Sequence, residues 1–392
     1  MPNRPDMHIL IALTYYRPHY SGLTIYAERE ARALASRGLK VTILTSRYDQ
    51  NLPAYESLDG IEIHRLDVRL RISKGVIMPG MPAAAWHHVK QADIIHLHVP
   101  QFDAAAIAMI SRLLGKPVVL TYHCDLRLPS GVVHYLANQV SNLANHLTAQ
   151  LSKVIVHNTM DYAEHSPFLH RYLSKVHPIF PPVVLEHPTQ ADIDAFRQKF
   201  SIQPGQRIIG MAARLAAEKG VEYLAQALPS VIAEFPRARL LFVGPHSDVV
   251  GEDAYASQLK PLIDRLGEHW SFLGILSPEE MASFFHVCEV TVLPSVNSTE
   301  SYGMVQVESI ACGTPVVASD IPGVRVPVRM TGSGCIVPPG DAATLAEALQ
   351  AILHNPQAFR GNRDELVQLS TPEAVAEQYE AIFKQVRFGA TT

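Results

Sequence analysis

SVNSTESYGMVQVESIACGTPVVASDIPG, residues 295–323, follows the apolar run VTVL and contains a second one, PVVASD. The loop NSTESYG and the segment GMVQVESIACG lie between the two runs, and Gly313 predicts the end of a helix of two to three turns. Strand, helix and strand in that order form one unit of a parallel sheet. The same stretch places two acids, Glu300 and Glu308, beside a run as apolar as CGTPVVAS. That combination asks for a reason.

The rhythm extends in both directions. HILIALTY, KVTILTS, IEIHRL, DIIHLHV, PVVLTYH and KVIVHN read as strands of one half, and RIIGMAA, ARLLFVG, WSFLGIL, VTVLPS, PVVASD and GCIVPP as strands of the other. Helical patterns alternate with them, beginning with one over about 23–37. This predicts an α/β chain of two doubly wound, Rossmann-like domains, 1–185 and 191–371. HPIFPPVVLEHPTQ, 177–190, holds four prolines, fits neither period and is the expected hinge. The amphipathic segment at about 372–392 is expected to pack back on the first domain. Open α/β sheets bind ligands beyond the carboxyl ends of their strands, so the expectation is a cleft with the two domains facing across it.

The totals exclude several classes. The formal charge of −4 gives no general attraction for nucleic acid. It is spread unevenly, since residues 1–190 carry 18 Lys and Arg against 14 Asp and Glu, and the remainder 15 against 23. Cys124, Cys288, Cys312 and Cys335 form no CxxC pair, as expected of reduced thiols in a cytoplasm. HILIALTYY reads as a first strand rather than a secretion signal. No window approaches the roughly 20 apolar residues that span a bilayer, so membrane contact is expected to be peripheral at most. HRLDVRLRISKGVIMPGMPAAAWHHVK, 64–90, is the candidate surface for it, with Arg65, Arg69, Arg71 and Lys74 among Val76, Ile77, Met78, Met81 and Trp86. The plain alternative is a strand edge followed by a packed helix.

Within 295–323, Gly303 allows close approach to the backbone, and the amides of Gly303, Met304 and Val305 at a helix start suit an anion such as phosphate. Eight residues at helical rise separate the acids by about 12 Å, the span from sugar to ribose in a nucleotide sugar. Alone, Glu308 would be a solvated helix residue and Glu300 a neighbour of the cap.

ESYGMVQVESIACGTPVVASDIPG resembles the signature of the retaining glycosyltransferases of family 4, which have the GT-B fold and carry Glu, seven residues and Glu in this context. Other landmarks follow in the family's order. MAARLAAEKG, 211–220, resembles the segment whose cations, here Arg214 and Lys219, neutralise a diphosphate leaving group. Otherwise Lys219 would simply pair with Glu218 or Glu222. PHYSGLTIYAERE, 18–30, resembles the glycine-rich first loop, with Ser21 where the family usually has glycine and Gly22 kept for contact with phosphate or sugar. TYHCD, 121–125, resembles the exit that places His123 beside the transferred sugar, with Asp125 as a candidate to orient it. LLFVGPH and WSFLGIL resemble the two loops that hold the base, through Gly244, Leu273 and Gly274.

The resemblance therefore implies a retaining, hexosyltransferase-type enzyme. It takes sugar from a UDP- or GDP-linked donor to a glycan, a lipid-linked or a small-molecule acceptor. Arg214, Lys219, Glu300 and His123 are the expected catalytic residues; Gly22, Gly244, Leu273, Gly274, Gly303, Met304, Val305 and Glu308 are expected to bind the donor. No cofactor and no metal are expected. His96 and His98 in IIHLHVP are read as pointing to opposite faces of their strand, unable to hold one ion together. The alternatives are a sugar-nucleotide epimerase or phosphorylase on the same fold, or a non-catalytic nucleotide-binding subunit. A nicotinamide dehydrogenase is disfavoured, because no GxGxxG follows either first strand. Donor base, sugar, acceptor and oligomeric state stay open.

Overall fold

The computed structural model describes residues 7–72, 75–125, 132–247, 249 and 251–389. The chain divides into two compact units, Met1–Pro182 with Ser370–Thr392, and Val183–Leu369.

The strands of the first unit are β1 (His8–Ala12), β2 (Lys40–Arg47), β3 (Tyr55–Leu58), β4 (Ile61–Asp67), β5 (Leu70–Ile72), β6 (Gly75–Ile77), β7 (Ile94–Val99), β8 (Val118–Tyr122), β9 (Val154–His157) and β10 (Val176–Pro178). Eight of them form a sheet in the order β10-β9-β8-β7-β1-β2-β4-β3, parallel except for the β3–β4 edge pair. β1, β7, β8 and β9 are buried along their whole length. A parallel strand covered by helices on both faces has no solvent side, so its sequence is continuously apolar rather than alternating. The order reverses between β1 and β7, which makes the exits of these strands the first unit's switch point.

After β1 the helix Gly22–Ser36 begins at Ser21, whose backbone is extended and whose Oγ accepts the Thr24 amide at 3.2 Å. The helix Pro372–Phe388 packs against it. Val375, Ala376, Tyr379, Ile382 and Phe383 recur at helical spacing on its buried face. Tyr379 and Tyr26 join their hydroxyls at 2.7 Å, Arg37 reaches Glu380 at 2.7 Å, and Arg387 reaches Asp93 at 2.8 Å.

The basic stretch differs from expectation. Arg65 is a buried residue, 4% exposed, whose guanidinium donates to Glu56 at 2.7 Å and to the Arg17 carbonyl at 3.0 Å. Val76, Met78 and Met81 are buried in the core, while Leu70, Ile77 and Trp86 face outward. Along β6 successive residues point to opposite sides, which puts Val76 in and Ile77 out, while Met81 and Trp86 lie on the buried and exposed faces of the helix Met81–Gln91. Arg69 and Arg71 are exposed, and Lys74 lies outside the described residues.

The second unit contains β11 (Arg207–Ala212), β12 (Ala238–Val243), β13 (Trp270–Gly274), β14 (Val290–Leu293), β15 (Val316–Ser319) and β16 (Gly334–Val337). They form one parallel sheet in the order β13-β12-β11-β14-β15-β16. Its reversal falls between β11 and β14, which makes the exits of these two neighbours the second unit's switch point.

Candidate functional site

Both loops at that switch point carry the residues singled out above. After β11 the chain runs through Arg214 into a single turn, Ala217–Lys219, and then through Gly220 into the helix Val221–Glu234. After β14 it passes Glu300 and enters the helix Met304–Ala311 at Gly303. The Val296 amide donates to the Glu218 carbonyl at 3.0 Å, tying one loop to the other. A Cβ on Gly220 would sit 2.1 Å from the Pro294 carbonyl oxygen, so only glycine, here at φ +64°, lets the two loops meet.

The result is a row of paired charges. Lys219 Nζ lies 2.5 Å from Glu300 Oε2, with side-chain exposures of 19% and 13%. Arg214 donates to Glu218, also across a largely covered contact. The surface-helix alternative for Lys219 fails, because its partner lies 81 residues away and is reached only through the adjacency of β11 and β14. Glu222 is instead bonded by the Tyr255 hydroxyl. Glu218 is the residue that sequence reasoning gave no part in the site.

Gly303 adopts φ +81°, and a Cβ there would lie 2.2 Å from Leu293 Cδ2. Met304, Val305 and Glu308 follow on the helix, half-buried, with Gln306 fixed beneath them by its bond to the Val324 carbonyl at 2.9 Å. The helix begins only at Met304, so the helical ruler drawn from Glu300 to Glu308 applies to its second half alone.

The two base-loop glycines are joined. The Gly244 amide donates to the Gly274 carbonyl at 2.8 Å, and the β12–β13 register steps over Leu273 between Phe272 and Gly274. A Cβ on Gly244 would meet the Ala213 carbonyl oxygen at 2.2 Å, whereas one on Gly274 would meet nothing within 4 Å. Gly244 thus holds β12 against the Arg214 loop, while Gly274 faces open space. The second unit places Arg214, Lys219, Glu300, Gly303 and the Gly244–Gly274 pair on the exits of adjoining strands.

In the first unit, Gly22 is the exposed first residue of its helix. His123 follows β8, its amide donating to the Val99 carbonyl at 3.0 Å. Asp125 does not orient it. Asp125 Oδ1 instead accepts the hydroxyls of Tyr122 and Ser166, each at 2.8 Å. His123 Nε2 lies 3.0 Å from His98 Nδ1, and Tyr26 meets the His123 ring edge-on at 5.0 Å between centroids.

The expectation for His96 and His98 is corrected as well. Residues two apart in a strand share a face, and the two rings lie 4.4 Å apart, both fully buried, beside buried Glu30. Glu30 Oε1 is 3.0 Å from His96 Nδ1, and Oε2 is 3.4 Å from His98 Nε2. Burial pushes the Glu30 carboxyl well above the usual range and holds His96, His98 and His123 well below theirs, so all four favour their neutral forms. The signal was present in the sequence: Glu30 falls on the buried stripe of its helix with Tyr26, Ala27 and Leu34. Burial likewise pushes up the thiols of Cys288 and Cys312, the latter to about 12, so neither is a ready nucleophile.

Comparison with known proteins matches residues 192–368 to the family described as glycosyl transferases group 1, and residues 21–179 to the glycosyl transferase 4-like domain. Among curated relatives, a D-inositol 3-phosphate glycosyltransferase of Segniliparus rotundus is 23% identical over 361 residues, covering 86% of this chain and 78% of the relative. The phosphatidyl-myo-inositol mannosyltransferase of Mycobacterium tuberculosis is 28% identical over 278 residues, 67% of this chain and 65% of that one. Among solved structures, Anabaena HepE in complex with UDP and glucose superposes with a TM-score of 0.77 at 19% identity, over 97% of this chain and 100% of its own.

Proposed function

Because the chain belongs to the group 1 glycosyl transferases, family 4, with the GT-B fold of two Rossmann-like units, we propose that it moves a hexose from a nucleoside diphosphate donor to an acceptor hydroxyl with retention. One observation carries the reading: Arg214 and Lys219 stand on the second unit's switch-point loops beside Glu300 and the helix start at Gly303. In this reading the bond from the anomeric carbon to phosphate breaks, and the bond to the acceptor oxygen forms on the same face. The acceptor's proton goes to the departing phosphate oxygen. Arg214 and Lys219 exchange their carboxylates for the diphosphate and stabilise charge that grows as the bond breaks. Glu300 and the amides from Gly303 to Val305 then hold the sugar, and Glu308 holds the ribose. The loops at Gly244, Leu273 and Gly274 hold the base, and Gly22 and His123 of the first unit contact phosphate and sugar. The side chains supply the positive charge, so EDTA should leave the rate unchanged.

The acceptors named in the relatives, an inositol phosphate and a phosphatidylinositol, guide the test. The protein is incubated with UDP-, GDP- and ADP-linked hexoses and a panel of inositol phosphates, phosphatidylinositol, glycans and sugar phosphates. Expected is acceptor-dependent release of one nucleoside diphosphate and an initial product with the donor's anomeric configuration by proton NMR. Donor consumed alone to give a second sugar nucleotide would make the protein an epimerase and overturn the reading. So would nucleotide binding with no transfer to any acceptor.

A further inference from the structure

The Glu30 cluster has no part in the reading above, yet it touches one of its residues. Glu30 Oε1 and Oε2, His96 Nδ1 and His98 Nε2 are buried away from solvent and have no aligned hydrogen-bond partner elsewhere. Buried polar atoms find partners, because each one left alone costs about 1–3 kcal/mol. Here the atoms facing them are one another, at 3.0 and 3.4 Å. The outer nitrogens are committed: His96 Nε2 to Thr121 Oγ1 at 2.7 Å, and His98 Nδ1 to His123 Nε2 at 3.0 Å.

Placing the protons follows from these partners. A neutral Glu30 has one hydroxyl, and the shorter contact takes it: Oε1 donates to His96 Nδ1 at 3.0 Å, whose Nε2–H is spent on Thr121 Oγ1. Oε2 is then the acceptor facing His98 at 3.4 Å, so His98 carries its proton on Nε2. His98 Nδ1 is then an acceptor, and the proton between the two rings belongs to His123 Nε2. His123 Nδ1 is left as the ring's acceptor, suited to a hydroxyl donor. We propose that Glu30 is a positioning residue that fixes the tautomer of His123 through His98, and so fixes what His123 offers the transferred sugar. The inference rests on the reading of His123 as a sugar contact.

The same three side chains bring ligand atoms within 4.8 Å of one another, close enough for a divalent cation. A divalent ion held by one carboxylate and two neutral imidazoles leaves a net positive charge. Among the described residues the cluster contains no second acid to balance it, and an uncompensated buried charge is costly. Proton sharing is therefore the favoured arrangement.

The test is nitrogen NMR of the full chain with labelled histidine, His123 being assigned by its loss in His123→Ala. Expected at His123 is a neutral ring with the proton on Nε2; a proton on Nδ1 overturns the proposal, whatever the transfer assay gives. Glu30→Gln keeps an oxygen for His98 and an N–H for His96 Nδ1, so it should retain the Nε2–H signature. Glu30→Leu should shift or split that signature and reduce transfer about 10-fold or more, a modest fraction of what a wrong imidazole tautomer can cost. Transfer by Glu30→Gln should exceed that of Glu30→Leu; equal loss in both overturns the proposal. If the leucine variant fails to fold, the wild-type and glutamine spectra decide. One equivalent of a divalent metal in the purified protein, lost in Glu30→Gln, would also overturn it. Failure of every donor to react, with the Nε2–H signature intact, would instead remove the sugar-transfer reading.

Discussion

Replacing Lys219 with Met keeps the aliphatic stem and deletes the charge that sits 2.5 Å from Glu300 Oε2. At an effective dielectric of about 20, two unit charges at that separation attract by roughly 6–7 kcal/mol before desolvation is counted. An exposed pair nets up to about 1 kcal/mol, and breaking a fully buried one costs about 3–5 kcal/mol. With 19% and 13% exposure the pair lies nearer the buried limit, so the expected loss is about 2–3 kcal/mol. For a unit of this size, each kcal/mol moves the melting temperature by about 2–4 °C. The second unit's transition in Lys219→Met should therefore fall by about 4–12 °C. Transfer should fall by about 10² to 10³ in kcat, the usual cost of one charge-stabilising group. Adding Glu300→Gln separates the two effects, since it removes the stranded carboxylate. The double variant should regain most of the lost melting temperature but none of the transfer. Calorimetry and nucleotide-release kinetics on the same preparations read both. Wild-type turnover in Lys219→Met, or recovery of activity in the double variant, would refute the assignment of Lys219 to the leaving group.

Three further outcomes follow from the packing. Tyr379→Phe removes the hydroxyl that joins Thr121 Oγ1, at 2.8 Å, to Tyr26, at 2.7 Å. It should lower the first unit's stability by about 1–3 kcal/mol in denaturant titration. Gly244→Ala drives a Cβ to 2.2 Å from the Ala213 carbonyl oxygen and should destabilise the second unit strongly; Gly274→Ala, with nothing within 4 Å, should cost only the left-handed backbone's about 1–2 kcal/mol. Thermal unfolding of the two variants side by side reads the difference. Burial holds His88 and His157 at about 4 and lowers His8. His88 and His157 each bind a proton when unfolded but not when folded between about pH 4 and 6.5, and His8 acts in the same direction. Their stabilisation is complete above about 6.5 and is lost as pH falls toward 4. The melting temperature should drop through that window, and a flat profile would contradict the burial of these rings.

The strands of both central sheets were legible because covered parallel strands leave unbroken apolar runs. β3, β5, β6 and β10 were not, being short, at an edge or part of a hairpin, with polar residues between apolar ones. Arg214, Lys219 and Glu300 could be named from motifs, but not who pairs with whom. The Lys219–Glu300 contact depends on β11 lying beside β14, and adjacency in a sheet is not written in either segment. For the basic stretch the sequence left a surface loop and a packed strand edge both open, and the burial of Arg65, Val76 and Met78 favours the packed one. The histidines failed for a simpler reason. A period of two puts His96 and His98 on the same face, and applying it correctly would have pointed to Glu30, the acid on a stripe otherwise made of Tyr26, Ala27, Ala31 and Leu34.

Tyr379 and Glu380 close contacts with Tyr26 and Arg37 that are opened more than 340 residues earlier. A chain made on the ribosome emerges from its amino end, so the whole of Val183–Leu369 appears before the segment that seals the first sheet's helical layer. Until then the first unit lacks the Tyr379 hydroxyl that joins Tyr26 to Thr121. It is completed only when Pro372–Phe388 emerges from the exit tunnel, so maturation of the two units runs opposite to their order in the messenger.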